Sequence, residues 1–165
     1  MHAAGDMLRL IPPPLQRALM PLAHRVRHSW RRWRKAPIIG CSIVIVDGAG
    51  RVLLLRHRYG PSVWSLPGGG IGRGEDPMVA ARREVREELA LELAGLTCFA
   101  VLEEELSGAP HTAHLFEAVS QGMPQVDRRE VVEARFFAPD ALPADVGAPT
   151  ARRLALWRRA ASEQR

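Results

Sequence analysis

Cysteine is scarce in this chain, lysine almost absent, and long apolar runs are missing. Two cysteines stand in 165 residues, Cys41 and Cys98, with no C-x-x-C spacing between them. Both fall in apolar, strand-like runs, so both are expected to be small buried hydrophobes in a reducing compartment. No stretch approaches the ~18 or more uninterrupted apolar residues of a transmembrane helix. The N-terminus does not show the order of a secretory signal, in which basic residues precede an apolar core and a small-residue cleavage site. A cytoplasmic location is the expectation by elimination. Lys35 is the single lysine; every other basic side chain is arginine.

What is present is unevenly placed. Residues 1–35 carry eight basic side chains against one acid, Asp6, a net charge of +7. The rest carries fifteen basic and seventeen acidic residues, a net of −2. The overall charge of +5 therefore belongs to the N-terminal segment and says little about the domain that follows. Within that segment Pro12, Pro13 and Pro14 interrupt the backbone, and Leu15, Leu19, Leu22, Val26, Trp30 and Trp33 recur at helical spacing. Residues 1–36 are expected to form a basic amphipathic extension, kinked at or beginning from Pro21, and residues 37–165 a single domain.

From Pro37 onward the pattern is that of a mixed α/β domain. Ile38–Val46 is rich in β-branched residues and predicts a strand; Asp47–Gly50 predicts a turn and Val52–Arg58 the second strand of a hairpin. Trp64–Leu66 is a short extended piece before a glycine-rich loop, and a helix of about a dozen residues follows from near Asp76 to Leu89. Thr97–Leu106, His111–Val119 and Val131–Phe137 predict three more strands, and residues 150–161 a C-terminal helix. A sheet covered by helices on both faces buries this many apolar strands most economically.

The chemistry concentrates between Gly68 and Leu91. Glycines allow close backbone approach, so this loop can present N–H or C=O groups to a phosphate or a metal. At 3.6 residues per turn, Glu84, Glu87 and Glu88 share one sector of the helix, while Met78, Val85 and Leu89 fall on the opposite side and can face the core. Taken alone, such a cluster is a solvated acidic face. Its alternative is a site for a hard cation, Mg²⁺ or Mn²⁺, which takes carboxylates, backbone carbonyls and substrate phosphates as ligands. Glu75 at the start of the helix and Arg83 beside Glu84 could lock the loop against the helix and orient those carboxylates.

The order Gly69-x5-Glu75-x7-Arg83-Glu84-Val85-x-Glu87-Glu88-x-Ala90-Leu91 closely resembles the Nudix box, G-x5-E-x7-R-E-U-x-E-E-x-G-U with U a bulky aliphatic residue. One position departs: Ala90 stands where the family has glycine. A left-handed helix end kept with alanine would cost roughly 1–2 kcal/mol, and no carboxylate is lost. The resemblance extends over about residues 37–145 and includes the late strand around Glu130–Phe137. It implies an α/β fold of Nudix type, a mixed sheet sandwiched between helices. It also implies Mg²⁺- or Mn²⁺-dependent hydrolysis of a nucleoside diphosphate linked to another moiety. Glu84, Glu87 and Glu88 would hold the metal with the backbone carbonyl of Gly69, and Glu75 and Arg83 would buttress the motif.

The general base is open among Glu84, Glu103, Glu104, Glu105, Glu130 and Glu133. Glu130 is favoured because it begins a strand and could project into the cleft. For the substrate, Arg56 and Arg58 could grip phosphate, and Tyr59 or Trp64 could stack on a base. His57, His111 and His114 read as strand residues rather than ligands. The competing function is a Nudix-fold nucleotide- or RNA-binding module without catalysis; the intact acidic residues argue against it. A nucleotide-type diphosphate is the expected partner, with nucleic acid and a second copy of the chain as alternatives.

Overall fold

A computed structural model describes residues 38–163 except Ser107 and residues 127–129. The expected N-terminal helical extension lies outside the described residues. Seven elements follow in order: β1 (Ile38–Val46), β2 (Val52–His57), α1 (Pro77–Leu89), β3 (Leu93–Leu106), β4 (Ala109–Ser120), β5 (Val131–Phe137) and α2 (Ala148–Glu163). The strands make one mixed sheet in the order β3-β4-β1-β2-β5, with β1 parallel to β4 and the other pairs antiparallel.

Alternation along the central strands sorts side chains between two cores. Ile43, Ile45, Leu53 and Leu55 face α1, which contributes Ala81, Val85 and Leu89. Val44, Val52 and Leu54 face the other way, onto Leu154 and Trp157 of α2. Each fully buried aliphatic side chain here contributes about 1.5–3 kcal/mol. The helix-covered mixed sheet expected from the sequence is the observed architecture. A polar clasp also ties α2 down. Arg153 Nη1 donates to the buried Ser42 hydroxyl at 2.8 Å and its Nη2 pairs with Glu104, which holds His111 Nδ1 at 3.0 Å.

The feature that positions the site is a splay in the sheet. β1 and β2 pair at Val46 and Val52 beside the turn, where Asp47 accepts from the amides of Ala49 and Arg51. They then part, and residues 65–71 enter the gap. Ser65 exchanges backbone bonds with Leu55, Ile43 N–H donates to Pro67 O, Cys41 N–H to Gly69 O, and Ile71 N–H to Ile39 O, all at 2.9–3.0 Å. The glycine loop is thus laced onto the central strand.

Three expectations need correction. β3 begins at Leu93 rather than Thr97, and it bulges against β4 at Ala94/Thr97 and Cys98/Ala100. An extra residue breaks the two-residue alternation, and Cys98 is exposed instead of buried. Cys41 is buried, and its thiol is pushed up to about 11, chiefly by burial, with the charges of Glu84 and Glu88 adding to the effect. Met78 is exposed because the buried stripe of α1 begins at Ala80 and Ala81.

Helix α1 is bounded as its ends dictate. Asp76 caps it, accepting from the amides of Met78 and Val79 at 2.8 and 3.1 Å, and Pro77 opens it. Ala90 closes it in the left-handed conformation, φ 48°, its N–H donating to Arg86 O at 3.0 Å. Among the described residues it is the one non-glycine with positive φ. Ala90→Gly should therefore stabilise the protein by about 1 kcal/mol, raising the melting temperature by about 2–4 °C. A calorimetric scan checks this; an unchanged or lower midpoint would mean that alanine holds this conformation without cost.

Candidate functional site

Two glycines set how closely the loop approaches its surroundings. Gly68 has φ +142°, and a Cβ there would lie 2.2 Å from Cys41 O. On Gly69 a Cβ would lie 2.4 Å from the Glu84 carboxyl carbon. Any side chain at either position would displace β1 or the first carboxylate of the acidic sector. The pair sits where loop, sheet and helix converge.

Arg83 organises the charges. Its Nε and Nη2 grip both oxygens of Glu75 at 2.8 and 3.0 Å, and Nη2 also donates to Gly70 O at 3.1 Å. Nη1 donates to Glu84 at 2.7 Å and reaches Glu87 at 3.4 Å. Glu75 in turn accepts from Gly72 N–H at 2.7 Å. One guanidinium thus joins the loop, the start of α1 and two carboxylates of the acidic sector. The hydrogen bonds from Arg83 and Gly72 hold Glu75 below the usual carboxylate range, and the same contacts with Glu75 and Glu84 raise Arg83. Glu84 moves the other way. Burial pushes it up, and Glu87 and Glu130 add to this, against the lowering by Arg83.

The three carboxylates share a sector but not an environment. Glu88 is only 6% exposed and accepts from Gly68 N–H at 3.2 Å; the Glu87 side chain is 63% exposed. As placed, no three His, Cys, Asp or Glu side chains among the described residues converge on one point where a metal could sit. Glu84 and Glu87 close on Arg83, and Glu88 closes on the loop amide. The donor set nevertheless fits a hard divalent cation. It offers three carboxylates within five residues of one helix, facing a loop too tight for side chains.

The structure separates the remaining candidates. Glu130 stands close enough to Glu84 to raise it, and its backbone carbonyl accepts from Arg58 N–H at 2.8 Å. Glu104 is engaged by Arg153 and His111 on the α2 face, and Glu133 pairs with Arg135 and Arg56. Two of the substrate candidates are engaged elsewhere. Trp64 is 4% exposed and packed edge-on to Phe137, with Arg56 over its ring at 4.7 Å, so it has no face for a base. Arg56 is itself spent on Asp145 and Trp64 in that cluster, on the side away from α1. The Gly69 carbonyl, expected to face a metal, already accepts from Cys41 N–H at 2.9 Å and Cys41 Sγ at 3.7 Å. Its orientation follows from the lacing onto β1. Arg58 and Tyr59 lie in the bend after β2, near the start of β5. Sequence reasoning passed over Gly68, whose amide holds Glu88; the signal was its place in the run of three glycines.

Comparison with known proteins places this geometry. The NUDIX domain model matches residues 36–157. Over 50 residues the chain is 42% identical to an RNA pyrophosphohydrolase of Rhodospirillum rubrum, covering 30% of each. Over 112 residues it is 29% identical to Nudix hydrolase 26, chloroplastic, of Arabidopsis thaliana, covering 59% of this chain and 47% of that one. The matches thus span less than half the length of these curated relatives. Among solved structures, a MutT NUDIX hydrolase of Burkholderia pseudomallei superposes with a TM-score of 0.66 at 30% identity, covering 73% of this chain and 98% of that one. A C. elegans Ap4A hydrolase shares the fold with a TM-score of 0.60 at 24% identity, covering 76% and 98%. With the box laced into a splayed mixed sheet and the domain model matching most of its length, this chain belongs to the Nudix hydrolase family.

Proposed function

We propose that the chain is a hydrolase that uses Mg²⁺ or Mn²⁺ to cleave the diphosphate linkage of a nucleoside diphosphate joined to another moiety. The observation that carries this reading is the clamp of Arg83 on Glu75, Glu84, Glu87 and the Gly70 carbonyl, which sets an acidic sector against a glycine loop. Glu84, Glu87 and Glu88 would hold the metal, with the Gly69 carbonyl as a further donor in place of its 3.7 Å contact with Cys41 Sγ. A divalent cation there would neutralise diphosphate charge and activate water as the nucleophile. Arg83 and Glu75 keep the loop and helix at fixed separation, and the buried Glu88 is oriented by the Gly68 amide. Glu130, beside Glu84, would take the proton from the attacking water oxygen. Arg58 and Tyr59, at the same end of the sheet as Glu130, would meet the substrate.

The hydrolase unit is residues 37–165, and the basic extension 1–36 lies outside it; a cytoplasmic setting suits this reading. Among the described residues no helix is long and apolar enough to cross a membrane. A second reading, removal of pyrophosphate from triphosphate-ended RNA, is favoured by the relatives named for that activity and by the +7 charge of residues 1–35. A panel of nucleoside triphosphates, ADP-ribose, dinucleotide polyphosphates, nucleotide sugars and 5′-triphosphate RNA, assayed with Mg²⁺ or Mn²⁺ and again with EDTA, tests both. Metal-dependent cleavage is the expected result, seen as pyrophosphate or phosphate from the triphosphates and, after phosphatase treatment of the phosphomonoester products, as phosphate from the others. No turnover across the panel would favour a binding module. Millimolar Mg²⁺ should also raise the melting temperature, since it would bind only the folded carboxylate arrangement; a smaller rise in Glu87→Gln would locate the effect.

A further inference from the structure

Helix α1 covers only half of its side of the sheet. It packs over Ile43 and Ile45 of β1, Phe116 and Ala118 of β4, and Leu93 and Leu96 at the start of β3. Among the described residues, the same face continues towards the other end of these strands without a helix over it. Register places two rows of three side chains there. Ile39, Thr112 and Glu103 lie abreast on β1, β4 and β3, and Cys41, His114 and Val101 lie abreast one step further along. With strands about 4.8 Å apart and same-face residues about 7 Å apart along a strand, the patch measures roughly 10 by 7 Å, the size of one nucleobase.

Its chemistry is that of a base platform. Ile39, near the start of the central strand β1, is 45% exposed, and Val101, on the edge strand β3, is 52% exposed. Between them the His114 ring is held nearly parallel to Phe116, with centroids 6.5 Å apart. In the far corner Thr112 Oγ1 donates to a Glu103 carboxylate oxygen at 3.0 Å, which orients that group beside the apolar Ile39 and Val101. In the near corner Cys41 touches the Gly69 carbonyl and feels the charges of Glu84, Glu88 and Arg83. The platform is therefore continuous with the acidic sector, and a nucleotide whose diphosphate lies at the loop can lay its base here.

We propose that this open face binds the nucleobase of the substrate and that Glu103 selects guanine. The proposal rests on the nucleotide-hydrolase reading of the adjoining site. A carboxylate is an acceptor on both oxygens. Guanine presents two neighbouring donors, N1–H and the N2 amino group, and can pair with it twice. Adenine presents a donor beside the N1 acceptor, which the carboxylate repels. Cytosine offers one donor and uracil a ring N–H between two carbonyls. An acceptor placed on an apolar platform discriminates mainly by leaving the wrong edge unpaired.

The test is equilibrium binding of GMP and AMP to the full-length protein, together with the ratio of kcat/KM for GTP over ATP. GMP should bind at least tenfold more tightly than AMP, and the GTP/ATP ratio should favour GTP by a similar factor. Glu103→Gln should reduce both preferences at least tenfold. Val101→Asp should weaken both mononucleotides at least tenfold, and the unaltered melting temperature of a variant would show that its fold is intact. Equal binding of GMP and AMP, or binding indifferent to both substitutions, overturns the proposal. A protein that binds GMP selectively but hydrolyses nothing keeps the platform and rejects the hydrolase. A protein that hydrolyses every nucleotide alike keeps the hydrolase and rejects the platform.

Discussion

Glu88→Gln should reduce turnover by more than about 100-fold while the protein still folds. Loss of a residue that merely supports a metal ligand typically costs about 10- to 100-fold, and Glu88 is proposed as a ligand itself. The substitution keeps the size of the side chain. Its amide oxygen can still accept from Gly68 N–H, where the carboxylate now accepts at 3.2 Å, so the packing of a 6%-exposed side chain is not disturbed. What disappears is the negative charge. Rates measured at saturating Mg²⁺ or Mn²⁺, with a melting curve for each protein, decide the matter. Turnover within a few-fold of the parent would remove Glu88 from the metal site and leave it as a brace for the loop.

Arg83→Ala should cost about 10- to 100-fold in kcat, although arginine is not a metal ligand. Its guanidinium joins Glu75, Glu84, Glu87 and Gly70 O, and no neighbour can replace all four contacts. The change should also move the acid side of the rate–pH profile. In the parent protein, burial raises Glu84 while the hydrogen bond and charge of Arg83 lower it. Removing Arg83 leaves the raising effects unopposed, so Glu84 protonates at higher pH and activity is lost earlier as pH falls. Arg83→Lys should restore part of the charge effect but not the two-point grip on Glu75. Full activity and an unmoved profile in Arg83→Ala would show that the clamp is an ordinary surface ion pair.

Much of this molecule was legible in the sequence because local rules decided it. The β-branched run of Ile38–Val46 made a strand and Asp47–Gly50 a tight reversal, though β1 and β2 pair only at Val46 and Val52. Asp76 and Pro77 set the start of α1 through their own side chains. Spacing alone put Glu84, Glu87 and Glu88 in one helical sector and Glu75 within reach of Arg83, since both pairings are local to one loop and helix. The left-handed end at Ala90 follows from the same local geometry, and there alanine carries a strain that glycine would not.

Other features depended on contacts between segments distant in the chain. Beside a glycine loop, Trp64 could stack on a base or join the core, and the structure buries it in the cluster with Phe137 and Leu154, with Arg56 over its ring. Periodicity cannot register the bulges of β3 that turn Cys98 outward, because an extra residue is fixed by pairing with β4. The Gly69 carbonyl was committed to Cys41 by the insertion of residues 65–71 between β1 and β2, a splay no single stretch of sequence encodes. The sequence by itself determined which residue types meet the loop and at what spacing, because helix and turn geometry act over a few residues. Only the tertiary structure decided which carboxylate is buried, which carbonyl is already bonded and which half of the sheet α1 covers, because burial and strand register are properties of packing between distant segments.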